Sequence, residues 1–455
     1  MDFKKNTAMK KIIIYISIIS LITSCELTEV LDNDPPNNLV SENVVKNETD
    51  AKALLNGAYT TITSRTNALY YMYSELIPSA MVGSMSQTGG GSINGQFSVN
   101  DVLFDNFYVR DFWLIYYKVI DAANNSIKLT SQLTDSQITR AAKEEIIGEA
   151  HFLRAMATFD ALRYFGQFFD SSSNLGVILR TEPSNFVTRN KARSTVAETY
   201  DQILSDIEIA LEKAPEYSVS YRGSKTAAKA LKAKVLLFQG KYEEAAATAN
   251  EVINEGFVTL EPTFEEAFAK GLNSSEMILM TYRDENSDSE DNNRKRFYFG
   301  RVGSSWFTDL MEGDPRQQFT YSGSTVLKTN NVETYRPTYF MRLAEMYLLK
   351  AEGLAFSGAS LEESSKPLNI IRNRAGIGDS QATTIDELKN DIFDEIAREL
   401  AFENGSEWFA AIRFNKVMEL KSTIISSNQF ILPIPEEEIN SNGAITLADQ
   451  NPGYE

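Results

Sequence analysis

Cysteine and histidine are almost missing from this chain of 455 residues, which has one of each, Cys25 and His151. A single thiol closes no disulfide within the chain, and a single imidazole removes His-based metal clusters and Ser-His-Asp triads from consideration. Positive charge is short as well. Lys and Arg total 44 against 62 Asp and Glu, a formal net charge of −18, which argues against binding a phosphate backbone and for solubility. The apolar run from Ile12 to Ile22 is too short to span a bilayer. No glycine-rich phosphate loop follows a strand-like run, so nucleotide binding has no support. The length that remains is enough to bury a large core.

The N-terminus sets the compartment. Lys4, Lys5, Lys10 and Lys11 precede the apolar run, and Thr23-Ser24-Cys25 follows it. This is the layout of a secretory signal peptide, with Met1 or Met9 as its start. The cysteine directly after small residues makes it resemble a bacterial lipoprotein signal, with lipid attached at Cys25. Residues 1–24 are expected as signal peptide, 25–47 as a polar, proline-bearing tether, and 48–455 as one domain. Loss of the signal removes more basic than acidic residues, leaving the mature chain more acidic still.

Helical periodicity dominates the rest of the chain. The stretch Lys143 to Gly166 holds no proline and one interior glycine, Gly148. Phe152, Met156 and Phe159 recur on one face, alanines allow close approach of a second helix, and Glu144, Glu149, Arg154 and Arg163 read as a charged flank. Helices are also expected at Glu48–Ile62, Ala68–Ile77, Phe112–Leu133, Thr195–Ala214, Pro337–Phe356, Leu361–Arg374 and Ile385–Phe402. Ala227 to Glu255 fits a tetratricopeptide helix–turn–helix: Gly240 breaks the first helix, Tyr242 packs into the turn, and Ala245, Ala249 and Val252 line the second. Residues 79–96 and 272–335 read as long irregular regions, which on compact domains carry function or disorder. The expected fold is all-α, a tetratricopeptide-like helical repeat superhelix with long irregular loops, its repeat part at 48–270 and its C-terminal part at 271–455.

Five blocks in order, GEAHFLRA with RYFG, AEMYLLKAEGLA before LNIIRNRAG, RELAFENGSEWF, LPIPEEEI and the terminal QNPGY, resemble the SusD/RagB family of nutrient-uptake outer-membrane lipoproteins. Phe112–Leu133 is similar to that family's W…Y…I…N helix, with Trp113 as a core anchor and Asn124 or Asn125 as the asparagine. Asn404, Glu407 and Ala410 depart from the family pattern, at positions read as structural. The resemblance implies a surface-exposed lipoprotein of a Gram-negative outer membrane. Such a protein captures oligosaccharides for a SusC-like TonB-dependent transporter and is not an enzyme. Peptide capture and a surface glycoside hydrolase are the alternatives.

Sugar capture needs flat aromatic faces with amides and charged groups nearby. The long loops offer Phe97, Phe104, Phe107 and Tyr108 beside Asn94, Asn100 and Asp101, and Tyr282, Arg283, Tyr298 and Trp306 beside Asn292 and Asn293. Trp306 follows Gly303-Ser304-Ser305 and reads either as a ligand platform or as a plug in the core. Glu345, Glu352, Glu399 and Glu403 sit at helical spacing near Arg342, Lys350 and Arg398, so salt bridges explain them better than a pair of catalytic carboxylates. Asp284, Asn286 and Asp288 begin like a calcium loop, but Ser289 and Lys295 occupy its glycine and glutamate positions. No cofactor is expected, and a structural calcium is the one alternative left open.

Overall fold

A computed structural model describes residues 44–63, 69–86, 95–290 and 302–454. Cys25 and Tyr298 lie outside the described residues. Residues 47–455 form one compact unit. Its helices are α1 (Glu48–Thr63), α2 (Leu69–Val82), α3 (Phe107–Gln132), α4 (Arg140–Phe165), α5 (Val196–Lys213), α6 (Lys225–Phe238), α7 (Tyr242–Glu255), α8 (Leu343–Ser357), α9 (Leu361–Arg374), α10 (Ile385–Leu400) and α11 (Ser406–Arg413), with shorter pieces between them. From α3 onward sequence neighbours pack on one another, α3 on α4, α4 on α5, α6 on α7 and α8 on α9, with α1 laid on α3 and α4, while α7 against α8 joins the two halves. The fold is a tetratricopeptide-like helical repeat, as expected.

Local chemistry sets the helix ends. Thr195 with Glu198, Ser360 with Glu363 and Thr384 with Glu387 form reciprocal capping boxes at the starts of α5, α9 and α10, each satisfying backbone donors that the first turn leaves free. Asn106 caps α3 by accepting from Tyr108 N. That helix therefore begins five residues before the expected start and takes Phe107 and Tyr108 out of the loop. Gly240 adopts φ +73° between α6 and α7, and Tyr242 stacks on Phe356 of α8 at 5.1 Å. Ala245, Ala249 and Val252 are fully buried.

Helix α4 departs from its expected amphipathic character, because nearly every side chain from Gly148 to Phe165 is buried. Of its expected charged flank only Glu144 stays at the surface, paired with Arg140 at 3.0 Å, and the rest is inside and paired. Glu149 meets Arg222 at 2.9 Å, Arg154 donates to Asp206 at 2.8 Å, and Arg163 binds Asp160. Arg154 also donates to Asn124 Oδ1, whose amide nitrogen in turn donates to the carbonyls of Arg180 and Glu182. Asn124, rather than Asn125, is thus the asparagine that ties α3 to α4 and the connection beyond it.

The expected helix Pro337–Phe356 is corrected at its start. Tyr339–Arg342 is a strand, β2, paired antiparallel with β1 (Met277–Met280), and α8 begins only at Leu343. All four residues of each strand are buried, so no apolar–polar alternation marks them in the sequence. One further two-residue hairpin pair, at 321–326, completes the strands of the described residues.

Candidate functional site

The end of β1 runs on in extended form, and its side chains alternate. Thr281 is buried, Tyr282 is 46% exposed, and Arg283 is 6% exposed. The period of two that places Tyr282 outward turns Arg283 inward, where it donates to the carbonyls of Tyr335 and Ser287. Arg283 is therefore a staple beneath the surface. Tyr282 stands on a cleft of about 300 Å³ between α1, the middle of α4 and the Tyr221–Arg222 segment, at the lower end of the range for small-molecule sites.

Two tyrosine rings form one side of the cleft. Tyr221 and Tyr282 meet edge to face, with centroids 4.9 Å apart. Opposite them, α1 offers Asn56, Thr60 and Thr63 from its outer face, with Leu153 and Met156 of α4 as the apolar floor. A rigid wall holds this in place. Arg222 lies over the Tyr59 ring at 4.3 Å, donates to Asn56 Oδ1 at 2.6 Å, and pairs with Glu149. The Tyr59 hydroxyl donates to Glu149 Oε2 at 2.7 Å and accepts from Gly223 N at 2.6 Å.

Burial pushes the Glu149 carboxyl up, against the pull of Arg222 and of the Tyr59 hydroxyl. Burial, and then the Glu149 charge, holds the Tyr59 phenol well above its usual range, so it remains a donor. These groups are spent on one another. What the cleft presents to a ligand is aromatic and apolar faces, hydroxyls, an amide and the edge of the paired Arg222, and no carboxylate is among the described residues that line it.

Of the described loop residues expected to bind, Tyr282 lines this cleft, and Phe97, Phe104, Tyr108, Arg283 and Trp306 do not. Phe97 is 1% exposed, its ring edge-on to Tyr108 at 6.4 Å, so its faces are committed to packing. Tyr108 is half-buried in the first turn of α3, 3.9 Å from Phe107. Phe104 is half-buried and borders a different groove, of about 370 Å³, with Asn428, Gln429 and Tyr454. Trp306 is half-buried on a short helix, Ser305–Met311, and its Nε1 donates to Val82 O at 3.0 Å. Beside it Met85 pairs with Val302, and Ser304 N donates to Gly83 O at 2.9 Å. The two long loop regions are joined at these described edges.

Tyr59, Tyr221 and Arg222 do not stand out from the sequence as site residues. Tyr59 shares the spacing of the apolar face of α1, which hides its second role. Tyr221-Arg222 sits in SVSYRGSK between two helices, and an aromatic beside an arginine in a short polar connection is the signal that could have found it.

A helical-repeat scaffold that holds an open aromatic cleft, with its charges internally matched, defines a ligand-binding protein. Comparison with known families agrees. A model described as "Starch-binding associating with outer membrane" matches residues 29–237, and the SusD family model matches residues 315–423. The chain belongs to the SusD/RagB family, a carbohydrate-binding family associated with the outer membrane. It is 24% identical to SusD-like protein P2 of Formosa agariphila over 98% of this chain and 99% of that protein. A SusD-like protein of Bacteroides ovatus is 22% identical over 93% and 86%. The fold matches a SusD superfamily protein from Bacteroides thetaiotaomicron with TM-score 0.75 and 23% identity, over 89% of this chain and all of that one. It also matches a laminarin-binding SusD-like protein with TM-score 0.72 and 24% identity, over 90% and 100%.

Proposed function

We propose that this protein is a non-catalytic, lipid-anchored glycan-binding protein of the cell surface, held in the outer membrane through Cys25. It captures oligosaccharides in the Tyr221–Tyr282 cleft and delivers them to a SusC-like TonB-dependent transporter. The observation that carries the reading is the pairing of two outward tyrosines with exposed Asn56 and Thr60 on a rigid wall. Sugar rings present C–H faces to aromatic planes and hydroxyls to amides, and this cleft supplies both. A glycosidase needs two carboxylates facing one site. Glu149, behind the cleft, is already bound by Tyr59 and Arg222.

The test is a combined glycan and peptide array probed with the full chain in detergent, followed by titration of the strongest ligand. Oligosaccharide binding is expected, with Tyr282→Ala weakening it by on the order of 1–3 kcal/mol, as for loss of one stacking ring. Binding to peptides alone, or sugar binding indifferent to Tyr282→Ala, overturns the assignment. Release of shortened sugar by the isolated protein overturns its non-catalytic part.

A further inference from the structure

Arg222 is the one charged side chain among the described residues that line the tyrosine cleft. Its side chain is 28% exposed there, and that of Glu149 behind it only 8%. The pair meets fork to fork. Arg222 Nε lies 2.9 Å from one Glu149 oxygen, and Nη2 donates to the other at 3.1 Å. This is the strong, oriented form of the contact. A third donor, Nη1, goes to Asn56 Oδ1 at 2.6 Å. A guanidinium has five donors, so its outer edge still reaches the cleft, but its charge is matched from behind.

The opposite wall has a carboxylate at its rim. The Tyr282 hydroxyl donates to Asp284 Oδ2 at 3.3 Å, two residues further along the chain. Asp284 is fixed by its own turn, accepting from Asn286 N at 3.0 Å, Ser287 Oγ at 3.1 Å and Asn286 Nδ2 at 3.3 Å. The Asn286 amide first, and then Ser287, hold its carboxyl below the usual range, so it is charged at neutral pH. A sugar ring stacked on Tyr282 lies beside that charge. An acidic sugar in this cleft therefore meets an arginine already neutralised by Glu149, and a second carboxylate at the edge of its stacking platform.

We infer that the cleft selects uncharged oligosaccharides over acidic ones. Glu149 is the positioning residue that cancels Arg222, and Asp284 is the repelling charge at the rim. Selectivity of this kind comes from what the wrong ligand meets rather than from extra contacts to the right one. The inference rests on the glycan-binding reading above and adds a ligand class to it, and the experiment separates the two.

The probes are the neutral hexose oligosaccharide that binds best on the array and the same chain oxidised at C6 to the uronic acid. Both are titrated calorimetrically into the full chain in detergent, and the quantity read is the ratio of the two affinities. Wild type should favour the neutral chain about tenfold or more at about 20 mM salt, and by less at about 500 mM, where repulsion is screened. Glu149→Gln unmasks Arg222 and should move the ratio about tenfold toward the acidic chain, and Asp284→Asn about threefold. Both shifts should shrink with added salt. The lost C6 hydroxyl weighs equally at either salt concentration and so does not imitate them.

Asp284→Asn, a change at the rim, carries the test by itself if Glu149→Gln does not fold. Wild type that binds the oxidised chain as tightly as the neutral one overturns the inference. So does a ratio that ignores the substitutions, or an array on which only acidic glycans bind, and in each of these cases the proposed function stands. An array on which only peptides bind overturns both.

Discussion

Arg342 Nη1 stands 2.7 Å from Glu399 Oε1, and neither side chain is more than 1% exposed. The pair is the middle of a buried network that joins β2 to α10. Arg342 also reaches Glu276 and Glu403, while Arg316 reaches Glu395 and Glu399, and Arg374 reaches Glu276 and Glu399. Burial would push Glu399 up, but Arg374, Arg342 and Arg316 together hold it far below the usual carboxylate range. Removing one partner strands the rest in a low-dielectric interior. Arg342→Leu should therefore cost about 3–5 kcal/mol in denaturant unfolding. A loss below about 1 kcal/mol would show the network to be replaceable.

Glycine sets how closely the helices approach. A Cβ on Gly148 would lie 2.2 Å from Ala214 N, and one on Gly353 would lie 2.7 Å from Tyr242 O. Both obstacles are backbone, which cannot rotate aside. Gly148→Ala and Gly353→Ala should each destabilise by roughly 1–3 kcal/mol despite their better helix propensity. Thermal unfolding decides the matter, and a raised Tm in either variant contradicts the packing.

The same residues show how far the sequence could be read. The repeat hairpin was legible because its glycine, its turn tyrosine and its alanine face are all local signals, and α9 runs over Leu361–Arg374 as expected. The strand at Tyr339–Arg342 was not, since its partner lies some 60 residues earlier and both faces of the pair are buried. The carboxylates on α8 and α10 do form ion pairs, but with partners distant in sequence, such as Lys234 with Glu345 and Arg413 with Glu352. As for the site, the region around Tyr282 was marked. Which of Tyr282 and Arg283 faces outward depended on the phase of an extended segment, and spacing alone does not give that phase.

Lys328 supplies a pH signature. It donates to the carbonyls of Glu399 and Ala401 at 2.7 and 3.0 Å and pairs with Glu403. Burial pushes it down to about 8, with Glu403 pulling up and Arg342 pushing further down. The unfolded chain holds this proton more tightly, with a value of 10.5. The lysine's contribution to stability is thus least favourable below about pH 8 and rises with pH between there and about 10.5. The difference in unfolding free energy between wild type and Lys328→Met, measured across that window, should change in wild type's favour as pH increases. A flat or opposite difference sinks the assignment, and tyrosines that titrate in the same range cancel in the comparison.

Trp306 separates support from recognition. Its Nε1 donates to Val82 O, its ring meets Phe307 edge to face at 5.6 Å, and the Met85–Val302 bridge lies beside it. These contacts join the two long loop regions, and the indole takes no part in the tyrosine cleft. Trp306→Phe keeps most of the ring and loses the hydrogen bond, an expected cost of about 1 kcal/mol. Trp306→Ala also removes the packing and should cost roughly 2–4 kcal/mol, somewhat less than for a fully enclosed tryptophan. Oligosaccharide affinity should stay within about twofold of wild type in both variants, since a change of less than half a kcal/mol is all that a distant, well-supported site would feel. An unchanged Tm with binding weakened by about 1–3 kcal/mol would reverse the conclusion and make Trp306 a stacking platform.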